Sequence, residues 1–69
     1  MKNYISEKNQ EPVYLTIEQV SRLLNMKEGR IRHMIFKSQI PYLKIGSSIR
    51  FNKTELLSWI NSKTIEARG

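Results

Sequence analysis

The chain has 69 residues and a formal net charge of +6, with 12 Lys and Arg against 6 acidic residues, all of them Glu. It has no Cys, which excludes disulfides and thiolate metal sites. His33 is its only histidine, so this chain alone cannot build a zinc site. Without a membrane-length apolar run or a secretory leader pattern, the sequence predicts a small basic cytoplasmic binding module with no cofactor and no membrane contact.

The positive charge is concentrated in the middle of the chain. Residues 1–13 and 62–69 are mostly polar, and we expect them to form flexible tails. The predicted domain, residues 14–61, carries eight basic and three acidic side chains, a net charge of +5. This distribution indicates an anionic partner, and nucleic acid is favoured over a surface that serves solubility alone.

The first helix is predicted to start at Thr16, because Gln19 follows three residues later and completes a capping-box pattern. One apolar face at helical spacing follows: Ile17, Val20, Leu23 and Leu24. Asn25 is expected to end the helix, since Asn tolerates the left-handed conformation of a tight turn, with Met26 as an apolar plug inside that turn.

The second helix is predicted from about Glu28 to Ser38, and Pro41 keeps it from running on. Its buried stripe consists of Ile31, Met34 and Ile35. Its outer face consists of Gly29, Arg32, His33 and Phe36.

Two short segments that alternate at period two, 42–45 and 49–51, predict a β-hairpin. A three-residue loop, 46–48, would pair Ile45 with Ile49 and would turn both toward the core. It would also set Lys44 opposite Arg50 on the outer face, where two like charges favour a nearby anion. A two-residue loop is disfavoured, because it sets Lys44 against Ile49.

Asn52 is predicted to cap a third helix, with Glu55 three residues on. Its inward face is expected to consist of Leu56, Trp59 and Ile60, with Trp59 in the core. The order of helix, tight turn, helix, hairpin and helix defines the fold class: α+β, mostly α, a small winged helix-turn-helix.

Residues 15–60, about two thirds of the chain, resemble the excisionase-type helix-turn-helix domains, small relatives of the MerR-type winged-helix family. The matching segments are the opening LTIEQVSRLLNM, then IPYLKIG, IRF and the closing KTELLSWI. The resemblance implies that helix 28–38 enters the major groove while the wing, 42–51, lies along an adjacent minor groove or backbone. It also implies a mobile genetic element as the source, and a role in DNA recombination, as a directionality factor, or in transcription regulation.

The sequence departs from the family pattern on the second helix. Lys27 replaces the usual Ser or Thr cap, Glu28 and Gly29 occupy the first turn, and Phe36 stands where a basic residue is common. Glu28 is either a reader of a cytosine amino group or a solvated surface residue. Phe36 either packs against the wing or a tail, or forms a protein interface or a stacking platform for an unpaired base, with Tyr42 beside it.

The first hypothesis is a double-stranded DNA binder that needs a homodimer, cooperative neighbours or a partner protein for specific binding. Arginine and histidine side chains would reach base edges, lysines and Arg50 would contact phosphates, and serines would donate at the wing tip. The predicted site consists of Lys27, Arg30, Arg32, His33, Phe36, Lys37, Lys44, Ser47, Ser48 and Arg50.

The second hypothesis is a replication or recombination accessory subunit of a polymerase, helicase or recombinase, which binds single-stranded DNA or a protein partner. Glu28, Gly29 and Phe36 favour it, because they weaken the usual groove-reading face. An enzyme is not expected, since no nucleophile, base and orienting residue form a set.

Overall fold

The computed structural model describes residues 13–65, so most of the tails predicted at 1–13 and 62–69, namely residues 1–12 and 66–69, lie outside the described residues. The elements in chain order are β1 (Tyr14–Leu15), α1 (Ile17–Leu24), α2 (Glu28–Phe36), β2 (Leu43–Ile45), β3 (Ser48–Asn52) and α3 (Lys53–Asn61). The strands form an antiparallel sheet in the order β1-β3-β2. The predicted fold class, a helix-turn-helix followed by a wing and a third helix, is confirmed. No helix within residues 13–65 is long and apolar enough to cross a membrane.

Local interactions define both ends of α1. The Thr16 hydroxyl accepts a hydrogen bond from the Gln19 N–H at 3.1 Å, and the Gln19 side chain accepts one from the Thr16 N–H at 2.9 Å. Asn25 ends the helix in the left-handed conformation, with φ 56° and ψ 46°. The predicted capping box and C-terminal turn are therefore confirmed.

The core lies between the helices and one face of the sheet. Seven apolar side chains are buried in it: Leu15, Ile17, Val20, Ile31, Ile40, Phe51 and Leu56. Met26 and Trp59 are partly buried and pack against this cluster, as the sequence predicted. The predicted apolar face of α1 is wrong at Leu23, which is 48% exposed and lies outside the core.

The predicted start and inner face of α2 are confirmed, and its end is corrected. Ile31 is fully buried, and Met34 and Ile35 pack against the core. The helix ends at Phe36 rather than at Ser38, because Ser38 adopts a φ of 55°. In that left-handed conformation the chain turns away, and the Gln39 N–H donates to the Met34 carbonyl at 2.8 Å.

The predicted register of the wing is wrong. Lys44 pairs with Ile49 and Leu43 with Arg50, around a two-residue Gly46-Ser47 turn. Gly46 has a φ of 62°, as a glycine in the first central position of a two-residue hairpin turn requires. Lys44 therefore does not lie opposite Arg50, and Ile45 is 59% exposed instead of facing the core.

The C-terminal end of β3 joins the wing to the rest of the domain. The strand β1, which the sequence did not predict, pairs Leu15 with Phe51 of β3. At the same end of β3, the Asn52 side chain accepts a hydrogen bond from the Glu55 N–H at 3.0 Å, which confirms the predicted cap of α3. The sheet is thus joined to α1 through β1 and to α3 through the last residue of β3.

Candidate nucleic-acid interface

The outer face of α2 is basic and exposed. Ile31 anchors the inner face of this helix in the core, so the residues that flank it point away from the core. The exposed side chains on α2 and its C-terminal cap include Arg30, Arg32, His33, Phe36 and Lys37. The solvent-exposed part of this helix therefore carries cations and one large aromatic ring.

A cleft separates α2 from the wing, and we call it the helix–wing cleft. Its tip half, near the wing turn, is lined by polar residues that include Glu18, Glu28, Arg32, Ser47 and Arg50. Its base half, near the end of α2, is lined by residues that include Arg32, Ile35, Phe36, Tyr42, Lys44 and Ile49. Ile17, Arg32 and Ile49 line both halves, so the two halves are adjacent.

The two halves of the cleft differ in charge. The base half carries Arg32 and Lys44 and is lined by no acidic residue. The tip half has Glu18 and Glu28 beside its arginines, but Glu18 is ion-paired with Arg22 one helical turn away. The base half is therefore the part of the cleft best suited to an anionic strand.

Arg50 is the most constrained of the wing cations. Its Nη1 donates a hydrogen bond to the Ile49 carbonyl at 2.7 Å, and the side chain is half-buried. The guanidinium group is thereby held close to β3 at the tip half of the cleft. The Lys44 side chain is exposed in the base half.

The ten predicted site residues do not form one cluster. Half of them line the helix–wing cleft: Arg32, Phe36, Lys44, Ser47 and Arg50. Lys27 and Arg30 line a separate shallow groove at the turn between α1 and α2. The remaining three are exposed but line none of these grooves: His33, Lys37 and Ser48. Their roles as DNA contacts remain predictions.

Phe36 is not packed against the wing. Its side chain is 82% exposed although it lines the base half of the cleft, so the expectation that the wing buries it is wrong. The alternative of packing against the N-terminal tail falls on residues 1–12, outside the described residues. Within the described part of the chain, the Phe36 ring is open to a ligand.

The cleft is also lined by residues that were missing from the predicted site, and two of them, Tyr42 and Glu18, bear on its chemistry. Tyr42, 40% exposed, lies just before β2 in the base half, and its position between Pro41 and a basic strand was the available signal. Glu18 lies in the first turn of α1 and lines the tip half. No local pattern marks Glu18, because only the docking of the wing brings it to the cleft.

Comparison with known proteins gives one match. A family model described as a helix-turn-helix domain matches residues 14–64. No curated protein and no solved structure matches the chain. The matched range includes both helices of the helix-turn-helix, the wing and α3. The chain therefore belongs to the helix-turn-helix family, as a small DNA-binding protein of the excisionase type.

Proposed function

We propose that this protein binds double-stranded DNA with α2 in the major groove and the wing on the adjacent backbone. It does so without enzymatic activity, as a recombination directionality factor or a transcription regulator of a mobile genetic element. The observation that carries the proposal is the cation-lined helix–wing cleft, with Arg32 on its helix wall and Lys44 on its wing wall.

The dimensions of α2 suit this placement. An α-helix with its side chains is about 10–12 Å in diameter, which fits the roughly 12 Å width of the major groove, and the nine residues of α2 span about 13 Å along it. If α2 lies in the major groove and the wing reaches the neighbouring minor groove, the strand that separates the two grooves passes through the cleft. Arg32 and Lys44 then flank the phosphates of that strand, and their charges displace its counterions.

One such domain supplies few contacts to bases. Residues on one short helix and one hairpin turn contact only a half-site, and a half-site alone gives weak, strongly salt-dependent binding. Specific binding therefore requires a second copy, cooperative neighbours on the DNA, or a partner such as a recombinase.

The test is a charge-removal experiment on the wing. We expect the double variant Lys44→Ala and Arg50→Ala to weaken duplex binding and to reduce the log–log salt slope by about two, since each lost phosphate contact removes about one. Fluorescence anisotropy with a labelled duplex at several salt concentrations measures both quantities.

The matched control is Lys63→Ala, which removes one charge near Trp59, with the ammonium group 5.5 Å from the ring centroid, away from the cleft. We expect it to leave the slope nearly unchanged. A double variant that keeps the wild-type slope and a folded circular dichroism spectrum would contradict the placement of the wing on DNA.

The exposed Phe36 ring favours a second candidate function, that of an accessory subunit for a polymerase, helicase or recombinase. An aromatic ring beside Tyr42 and Lys44 is suited to stacking on unpaired bases, which contributes about 1–3 kcal/mol per base. Anisotropy with single-stranded and duplex oligonucleotides of equal length separates the two functions. Tighter single-strand binding that Phe36→Ala abolishes, with duplex binding unaffected, would favour the accessory role.

A further inference from the structure

We infer that Phe36 reads the C5-methyl group of a thymine on the DNA strand that occupies the helix–wing cleft. The inference rests on the proposed duplex binding and adds to it a base that the bound site must carry. It makes Phe36 a specificity-determining residue on a helix whose other exposed side chains are all polar or charged.

The surroundings of the Phe36 ring point to an apolar contact at the edge of a charged surface. The ring is 82% exposed, while the partly buried Ile35 and the 40% exposed Tyr42 line the same half of the cleft. Together they form a small apolar wall with Arg32 one helical turn before it and Lys44 across the cleft. An anionic strand held by these cations brings its bases to the apolar wall.

A duplex offers little to an apolar side chain in the major groove. The faces of the bases are covered by stacking, so only their edges are accessible. Among the groups on the major-groove edges, the methyl group of thymine is the largest apolar feature, and the groups that distinguish the other bases are hydrogen-bond donors and acceptors. A phenylalanine on a major-groove helix therefore has the thymine methyl group as its natural partner.

The location of Phe36 on α2 agrees with the location of that methyl group. C5 is the major-groove atom of a pyrimidine that lies nearest to its own sugar–phosphate backbone. Phe36 lies on the side of α2 that faces the cleft, where the strand between the two grooves passes. The ring is thus close to the methyl groups of that strand rather than to those of the opposite strand.

The experiment uses two duplexes of equal length, one of alternating adenine and thymine and one of alternating adenine and uracil. They differ only in the methyl group, and every register of the first duplex offers a methyl group to Phe36. We expect the full-length protein to bind the thymine duplex about fourfold more tightly, the effect of burying one methyl group. We expect Phe36→Ala to bind the two duplexes equally.

The matched control is Leu57→Ala, which shortens an exposed apolar side chain on α3 that lines neither half of the cleft. It should keep the wild-type preference. A Phe36→Ala protein that also keeps the preference would overturn the inference. So would salt-dependent duplex binding by the wild type with no preference, an outcome that leaves the proposed function intact.

Two further outcomes separate this inference from the functions proposed above. A thymine preference that is equally strong on single strands would overturn groove reading in favour of stacking. Failure of the wild type to bind any duplex would refute the proposed duplex function, and the inference would be refuted with it.

Discussion

The two helices of the helix-turn-helix are similar in length but are stabilised in different ways. In α1 a capping box closes the first turn, Asn25 closes the last, and Glu18 pairs with Arg22 on the surface. In α2 the N-cap residue is Lys27, which makes no side-chain capping bond, and Ile31 is its one fully buried residue. Local capping interactions therefore define both ends of α1. In α2 the N-terminus has no side-chain cap, and its outer face is available for contacts with a ligand.

The short length of α2 has an energetic consequence. A nine-residue helix is too short to be stable alone in water, so α2 depends on its packing against the core. Ile31 is the fully buried residue of α2, with Met34 and Ile35 packed beside it, and the exposed residues of α2 supply little of that packing. Substitutions on the buried face of α2 should therefore change stability, and substitutions on its exposed face should change binding.

A pair of alanine variants on α2 tests most directly whether its buried face supports stability and its exposed face does not. We expect Ile31→Ala to lower the free energy of unfolding by about 2–5 kcal/mol, through lost burial and the cavity left behind. For a domain this small, that is enough to unfold a large share of the molecules. Phe36→Ala, five residues later on the exposed face, should change stability by less than about 0.5 kcal/mol.

Urea denaturation followed by circular dichroism measures both variants. A Phe36→Ala protein that is destabilised as strongly as Ile31→Ala would show that Phe36 is packed in solution. The division of α2 into a structural face and a binding face would then be wrong.

The same division explains what the sequence could predict. Thr16, Gln19 and Asn25 act over a few residues, so their chemistry determined the ends of α1 and was predictable. Helical spacing also placed Ile31 inside and Phe36 outside. Helix phase was enough for these two residues, although it wrongly placed Leu23 of α1 in the core.

The wing was harder to predict, because two local signals in it conflict. The alternation of apolar residues favoured a three-residue loop that buries Ile45 and Ile49 together. Gly46 favoured a two-residue turn, because glycine readily adopts the positive φ that such a turn needs. The turn geometry determined the register, and Ile45 is exposed as a result. β1 is two residues long, too short to show a period at all.

The candidate site was only partly predictable for a related reason. Exposure of Arg32 and Phe36 follows from helix phase, but their grouping with Lys44 depends on how the wing docks beside α2. A change of one residue in register moves each side chain to the other face of the strand. The predicted pair of Lys44 and Arg50 was therefore lost, and the observed pair of Arg32 and Lys44 was not foreseen.

A second prediction addresses the missing cap of α2. Lys27 already has the extended conformation of an N-cap residue, with φ −68° and ψ 147°. Lys27→Ser should therefore stabilise the protein by about 1 kcal/mol, because the serine hydroxyl can accept a hydrogen bond from a first-turn N–H. It should also weaken duplex binding, since Lys27 is a predicted phosphate contact. Thermal unfolding and anisotropy measure the two effects.

The control for Lys27→Ser is the opposite change on α1, Thr16→Ala, which removes an existing cap and should cost about 1 kcal/mol. If Lys27→Ser leaves the stability unchanged while Thr16→Ala lowers it, the start of α2 is fixed by packing rather than by its cap. The contrast between the two helices would then lie in their faces and not in their ends.

The smallest expected effect concerns Gly29 in the first turn of α2. A Cβ atom added there meets nothing within 4 Å, so Gly29→Ala should be sterically free. Alanine is favoured over glycine by about 1 kcal/mol in a helix interior, and we expect about half of that in the first turn. Gly46→Ala is the control, because its φ of 62° makes a side chain unfavourable, and it should lower stability.

The value of Gly29→Ala lies in comparing its two readouts. If the glycine only reflects a tolerant surface, stability should rise and duplex affinity should stay constant. If DNA approaches the backbone at this turn, the added methyl group should raise stability and lower affinity at once. Opposite signs from one methyl group would show that α2 gives up helix stability for access to its ligand, whereas α1, capped at both ends, does not.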